Sequence, residues 1–278
     1  MKKLNCRLIV SDFDGTLANT RNEVTDGVKR AINNYVADGG IFAVCTGRIL
    51  PSILPRVRSL GLKGLVIASQ GSVIADIESG EIIKNVGFKG GEAAEICAFL
   101  EELNTNVQLY FSDGFYSELP EGEKHLKLYE DIIGVKAHHS DKPLSRVAIS
   151  ESGRLFNKAA TLCRPDGQAE LYEKIRQKFG ARFDVTCSAK VLIEISPAGE
   201  TKGAAVEFLS AHYGVPIYKC CAVGDNLNDL SMLEAAGVGV AVGNAVQGLK
   251  DAANYVTVTN DEDAVARVIE KFGYIEND

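Results

Sequence analysis

Apolar runs too short for helices alternate with helix-period stretches along the first third of the chain. Leu8-Ile-Val10 reads as a strand, and Val28, Ala31, Ile32, Tyr35 and Val36 share one face of a helix that Thr25 can cap. Gly39-Gly40 ends that helix. A second strand over residues 41–45, a short helix over 53–60 and a third strand over 65–67 follow. Continuous apolar strands joined through helices imply a parallel sheet covered on both faces. Val73-Ile74 and Ile82-Ile83, with a polar loop between them, read instead as an antiparallel hairpin.

The texture changes from about Phe88. A helix is expected over residues 93–103 and a strand over 107–111, followed by a polar, turn-rich stretch over 112–124. An apolar run at 146–149, a helix near 168–179 and strands over 183–187 and 190–195 complete a mixed segment with two helices. After Ser196-Pro-Ala-Gly199 the first rhythm returns: helix 202–212, strand 220–223, helix 228–235, strand 238–242 and a last helix 263–272. The pattern predicts an α/β fold, a three-layer Rossmann-like parallel-sheet core built from residues 1–85 and 194–278, with an α+β cap inserted over 86–193.

Composition narrows this reading. The 278 residues are too many to need a disulfide or metal staple, and 30 Lys+Arg against 37 Asp+Glu give a net charge of −7, which argues against a nucleic-acid polymer as partner. A small basic pocket for one phosphate is still compatible with that charge. No apolar stretch has the length of a membrane span and the N-terminus lacks a long signal-peptide core, so no membrane partner and a cytoplasmic location are expected. Seven cysteines, among them Cys6, Cys45, Cys97, Cys220 and Cys221 in or beside apolar runs, read as reduced core thiols. Four histidines and no C-x-x-C give no zinc site. Periodicity leaves a monomer and a small homo-oligomer equally open.

Chemistry concentrates where apolar strands run out. Leu8-Ile-Val-Ser-Asp12-Phe-Asp14-Gly15-Thr16 places two carboxylates at i and i+2, on one side of an extended chain, where one can attack phosphorus and the other can handle a proton. Gly224-Asp225-Asn226-Leu-Asn228-Asp229 follows another apolar strand, and carboxylates from two strand ends can hold an octahedral Mg²⁺. Thr46-Gly47-Arg48 offers a hydroxyl, a flexible turn and a guanidinium to a phosphate. Lys202 opens a helix where acids are preferred, which points to a negative charge beside it. Taken singly, each motif also reads as a helix cap, a plain turn or a solvated lysine.

Taken together and in order, Asp12-Phe-Asp14-Gly15-Thr16, Thr46-Gly47-Arg48, Lys202 and Gly224-Asp225-Asn226-Leu-Asn228-Asp229 resemble the haloacid dehalogenase superfamily phosphatases, specifically the Cof-type group with a large α/β cap. The resemblance implies that Asp12 is the phosphate-accepting nucleophile and Asp14 the general acid/base. It implies that Thr46, Gly47, Arg48 and Asn228 bind phosphate and that Lys202 steadies both Asp12 and phosphate. It further implies a Mg²⁺ held by Asp12, the Asp14 backbone carbonyl and Asp225, with Asp229 behind them. The expected reaction is hydrolysis of a small phosphorylated metabolite, a sugar phosphate or a related monoester, through an aspartyl-phosphate. A phosphomutase using the same intermediate and a catalytically silent ligand-binding protein are the alternatives. Gln70-Gly71 departs from the Asn-Gly common in that family, and the Gly243-Asn244-Ala245 turn resembles another loop facing its active site. Lys124, His125 and Lys127 form a basic cluster that would suit a polyanionic substrate, or simply a charged cap surface.

Overall fold

In the computed structural model, residues 3–189 and 191–275 are described. Strand β1 (Leu8–Ser11) is fully buried and is flanked on both sides by parallel partners, β2 (Ile41–Cys45) and a later strand at Cys220–Gly224. Helix α1 (Asp26–Ala37) joins β1 to β2 and starts on Thr25, whose Oγ1 accepts the Val28 amide at 3.2 Å. Helix α2 (Leu50–Ser59) leads to β3 (Leu65–Ala68), after which β4 (Val73–Asp76) and β5 (Ile82–Asn85) add an antiparallel hairpin.

The insertion begins after β5. It contains α3 (Gly90–Glu102), β6 (Asn106–Phe111), β7 (Gly114–Ser117), α4 (Lys124–Ile133), α5 (Leu144–Ser150), β8 (Phe156–Leu162), α6 (Gln168–Phe179), β9 (Phe183–Ala189) and β10 (Leu192–Pro197). The core then resumes with α7 (Lys202–His212), β11 (Cys220–Gly224), α8 (Leu230–Ala235), β12 (Val238–Ala241), α9 (Gln247–Ala252), β13 (Tyr255–Val256) and α10 (Ala264–Val268). The eight core strands run in the order β13-β12-β11-β1-β2-β3-β4-β5, and the five inserted strands form an antiparallel sheet, β7-β6-β8-β10-β9. The chain steps from β1 toward β2 and β3 on one side and from β11 toward β12 and β13 on the other. Right-handed crossovers therefore place the connecting helices on opposite faces, and the direction change at β1 opens a crevice at the strand C-termini.

Three expectations are corrected here. The apolar run at 146–149, placed in neither of the two expected helices, is helical: Leu144, Val147 and Ala148 are buried at helical spacing in α5, which packs on α3. Four apolar residues cannot distinguish the two periods, and tertiary packing decides. Among the described residues the cap holds four α-helices rather than two, because α5 adds one and the polar stretch over 112–124, which hides β7, leads into another, α4. The border set at residue 193 also moves. Strand β10 stays paired with β9 as far as Pro197↔Phe183, so residues 194–197 belong to the inserted sheet. Lys190, the first residue of the strand expected over 190–195, lies outside the described residues.

The inserted sheet has two dissimilar faces. Val107, Leu109, Ala159, Ile193 and Ile195 pack with α3, α5 and α6 in an apolar core of their own. Alternate positions carry Gln108, Tyr110, Lys158 and Glu194, all buried although polar. That polar face is covered by α4 and by the C-terminal edge of the core sheet, where Lys158 Nζ stands 3.5 Å from the Gly47 carbonyl.

Candidate active site

Register brings the sequence motifs together. Ser11 lies level with Val44 of β2 and Val223 of β11, so the next residues of all three strands leave the sheet at one edge. Asp12 is anchored there by its amide, which donates to the Val223 carbonyl at 2.9 Å. Gly15 turns the chain with φ +78°, and a Cβ at that position would stand 2.7 Å from Asp225 Oδ2. Only glycine gives both the left-handed turn and the close approach of the Asp225 carboxylate. Gly224 serves the second loop by close approach alone, since a Cβ there would fall 2.5 Å from Asp229 Oδ2.

Lys202 is the centre of the charge network. It starts α7 and is 1% exposed, and its Nζ donates to Asp12 Oδ1 and to Asp229 Oδ1 at 2.5 Å each. Asp229 Oδ2 in turn accepts the amides of Asp225 at 2.9 Å and Asn226 at 3.2 Å, so both of its oxygens are engaged. Asp225 Oδ1 accepts the Thr16 hydroxyl at 2.9 Å. Carboxylate oxygens of Asp12, Asp225 and Asp229 lie within 4.8 Å of one another. One ammonium faces three carboxylates, and the ionisation behaviour follows. Burial pushes the Asp12 carboxyl well above its ordinary value, with the Asp229 and Asp225 charges adding to the rise and Lys202 opposing it. Burial and Asp229 push Asp225 up to about 6. Burial acts to lower the Lys202 ammonium, and Asp12 and Asp229 more than reverse it.

An all-oxygen donor set short of positive charge fits a hard divalent cation. Lys202 and Thr16 take one oxygen each of Asp12 and Asp225, which leaves the second oxygen of each as a ligand.

Above these carboxylates lies a cleft of about 240 Å³ between core and cap. Its core wall includes Asp12, Asp14, Gly47, Arg48, Gln70, Asp225 and Asn228, and its cap wall is made of Tyr129, Ile132, Ile133, Lys158, Leu192 and Glu194. Asn228 donates to Gln70 Oε1 at 3.3 Å. Gln70 itself sits at φ 61°, so the departure at Gln70-Gly71 falls on the cleft wall. Thr46 is buried behind that wall, and its Oγ1 accepts the Arg48 amide at 3.2 Å. Arg48 is turned to Asp14, with Nε and Nη2 reaching the two carboxylate oxygens at 2.6 Å each. Asn244 lies outside the cleft and donates to the Gly15 carbonyl at 2.8 Å, bracing the turn.

The cap residues of the cleft carry no sequence signal strong enough to single them out. Lys158 and Glu194 form an ion pair whose side chains are both 4% exposed, with the ammonium 4.5 Å from the centre of the Tyr110 ring. Burial acts to lower the Lys158 ammonium, and Glu194 and Tyr129 more than offset it. A lysine and a glutamate in the middle of strands, where the alternating pattern expects a buried face, are the one clue the sequence holds. The basic cluster of Lys124, His125 and Lys127 is exposed, and α4 turns Tyr129, Ile132 and Ile133 toward the cleft instead. Cys6, Cys45, Cys97, Cys220 and Cys221 are buried free thiols, whereas Cys163 is half-buried and Cys187 exposed. Among the described residues no helix is long and apolar enough to cross a membrane.

Known proteins share the sequence and the fold. Phosphatase YwpJ of Bacillus subtilis is 31% identical over 282 residues, covering 95% of this chain and 98% of its own. The 5-amino-6-(5-phospho-D-ribitylamino)uracil phosphatase YwtE of the same organism is 29% identical, covering 95% and 97%. A solved haloacid dehalogenase-like hydrolase from B. subtilis superposes with a TM-score of 0.85 at 27% identity, over 95% of this chain and 99% of that one. The sequence profile of the haloacid dehalogenase-like hydrolases matches residues 9–269, essentially the whole of core and cap, and the chain belongs to that family.

Proposed function

We propose that the protein is a Mg²⁺-dependent phosphatase that hydrolyses a small phosphomonoester through an aspartyl-phosphate on Asp12. The observation that carries this reading is the position of Asp12, a buried carboxylate at a strand end, on the cleft wall and fixed by Lys202 at 2.5 Å. Asp12 attacks phosphorus in line, and the P–O bond to the leaving group breaks as Asp14 gives that oxygen a proton. Water then attacks the phosphorylated Asp12, its proton passes to Asp14, and inorganic phosphate leaves. Lys202 offsets charge between nucleophile and phosphate. Thr46, Gly47 and Asn228 line or support the phosphate position. Asp12, Asp225 and the Asp14 backbone carbonyl would hold the cation, with Asp229 bracing the loop behind it. The bound cation supplies charge neutralisation on the phosphoryl oxygens.

Substrate size and polarity follow from the cap wall. Lys158 and Glu194 neutralise each other, so this wall presents polar groups without a net charge for a second phosphate. Tyr129, Ile132 and Leu192 add apolar surface. A sugar or polyol monophosphate suits such a wall, and one relative is named for a phosphorylated ribityl compound. The test is phosphate release with Mg²⁺ across sugar phosphates, polyol phosphates, nucleoside monophosphates and pyridoxal phosphate, with Asp12→Asn as control. Release by wild type and its loss in a folded Asp12→Asn protein are expected. Equal activity in Asp12→Asn would remove Asp12 as nucleophile. Isomerised substrate with little free phosphate would mark a mutase.

A further inference from the structure

Among the described residues, the basic side chains of the site are each held by a carboxylate. Lys202 lies between Asp12 and Asp229, and Arg48 reaches both oxygens of Asp14. On the cap wall the basic residue is Lys158, and Glu194 holds it. Register sets the place of this pair. Lys158 lies opposite Tyr110 of β6, and Glu194 lies opposite Ala160, which makes it the diagonal neighbour of Lys158 on the same face of the sheet. From there Lys158 Nζ reaches to 3.5 Å from the carbonyl of Gly47, in the turn between β2 and α2. Its ammonium therefore stands where the turn proposed to hold phosphate meets the space left for the leaving group. A buried ion pair is weak evidence of stability, since apolar residues of like volume often serve a fold as well or better. The opposite face of the same sheet is built that way, from Leu109, Ala159, Ile193 and Ile195.

An ammonium at that junction would pair with a second anionic group of the substrate, a carboxylate or another phosphate carried by the leaving group. Glu194 occupies that role itself. We propose that Glu194 is a specificity-determining residue: it withholds the Lys158 charge from the substrate, so that the cleft takes monophosphates of small neutral polyols and sugars and rejects those whose leaving group carries its own anion. A hydroxyl both donates and accepts, and so satisfies the carboxylate and the ammonium together. An anion meets the Glu194 carboxylate and must displace it from Lys158, which is selection by repulsion as much as by attraction. Size acts in the same direction. The cleft measures about 240 Å³, below the roughly 300–1,000 Å³ of pockets that enclose drug-sized ligands. This assignment rests on the phosphatase reading above and narrows its substrate class to one residue's choice.

The test compares kcat/KM within matched pairs of substrates that differ only in a hydroxymethyl or a carboxylate group: glycerol phosphate against phosphoglycerate, and glucitol phosphate against phosphogluconate. Wild type favours the neutral member of each pair by about tenfold or more. Glu194→Gln keeps the shape and releases the ammonium, so the ratio moves toward the acid by about tenfold or more, mainly through a lower KM for the acid. In Lys158→Gln/Glu194→Gln neither charge is left, and the preference returns to the neutral member. Glu194→Asp, which draws the carboxylate back from Lys158, moves the ratio the same way as Glu194→Gln by less, and it carries the test if Glu194→Gln does not fold. A merely structural pair lowers both members of each pair alike and shows no return in the double variant. Equal use of both members by wild type overturns the proposal, as does a ratio unchanged in the Glu194 variants. An equal gain for both members also overturns it, because Lys158 then acts on the transferred phosphate. If wild type releases no phosphate from these substrates or from the wider panel above, or if release persists in Asp12→Asn, the phosphatase reading through Asp12 fails instead.

Discussion

Replacing Lys202 by methionine removes the ammonium from between Asp12 and Asp229 at nearly constant volume. The three side chains are 1%, 7% and 1% exposed, so water cannot take the place of the lost charge. Breaking a buried ion pair from one side costs about 3–5 kcal/mol. At roughly 2–4 °C per kcal/mol for a domain of this size, Tm falls by about 6–20 °C. The loss has a defined pH dependence. Burial already holds the Asp12 carboxyl well above its ordinary range, and removing Lys202 raises it further. A carboxyl raised in the folded state contributes stability that is complete below its unfolded value and lost as pH rises through its folded value. The gap between variant and wild type, measured by thermal melts in chelator, is therefore wider near pH 8 than near pH 5.5. Adding Asp229→Asn to Lys202→Met recovers part of the loss, because one buried charge then goes with its partner. A Tm close to wild type, or a gap that does not change with pH, would refute the account of Lys202 as the counter-charge of this site.

Three further outcomes are expected. Burial and Asp229 push Asp225 up to about 6, so the stability it contributes is present below the ordinary carboxylate range and lost by neutral pH; Mg²⁺ restores it, and the Mg²⁺-induced rise in Tm grows as pH increases through 6, whereas a rise equal at both ends of that range would exclude Asp225 as a ligand. Gly15→Ala combines a φ of +78° with a Cβ 2.7 Å from Asp225 Oδ2, so it lowers the denaturation midpoint by the equivalent of more than about 1 kcal/mol and weakens Mg²⁺ binding in calorimetric titration. Lys158→Met removes the ammonium from the buried pair with Glu194 and destabilises the protein by about 3–5 kcal/mol, while the double variant Lys158→Met/Glu194→Leu is far closer to wild type in chemical denaturation but has a changed substrate profile.

Much of the core was legible because its signals are local. Apolar runs ending in acidic loops identified β1 and β11, Thr25 marked the start of α1, and the helix over residues 202–212 appears with those limits. The cap was less legible for a physical reason. Its sheet is buried on both faces, one of them by polar residues, so Gln108, Lys158 and Glu194 break the alternation that marks a strand with one wet face. The run at 146–149 shows the same weakness on a smaller scale, since its helical identity comes from Leu144, Val147 and Ala148 packing against α3.

The sequence by itself determined the family and the α/β fold class, because strand-end carboxylates, a glycine turn and a helix-opening lysine are local choices with few alternative uses in that order. Tertiary structure decided which charges meet. Only strand register and the packing of α7 put Lys202 between Asp12 and Asp229, and only docking of the cap brought the Ile132 carbonyl to Arg48 and set Lys158 and Glu194 above the cleft. These contacts join residues far apart in the chain, and no periodicity within one segment encodes the distance between two carboxylates held by different strands.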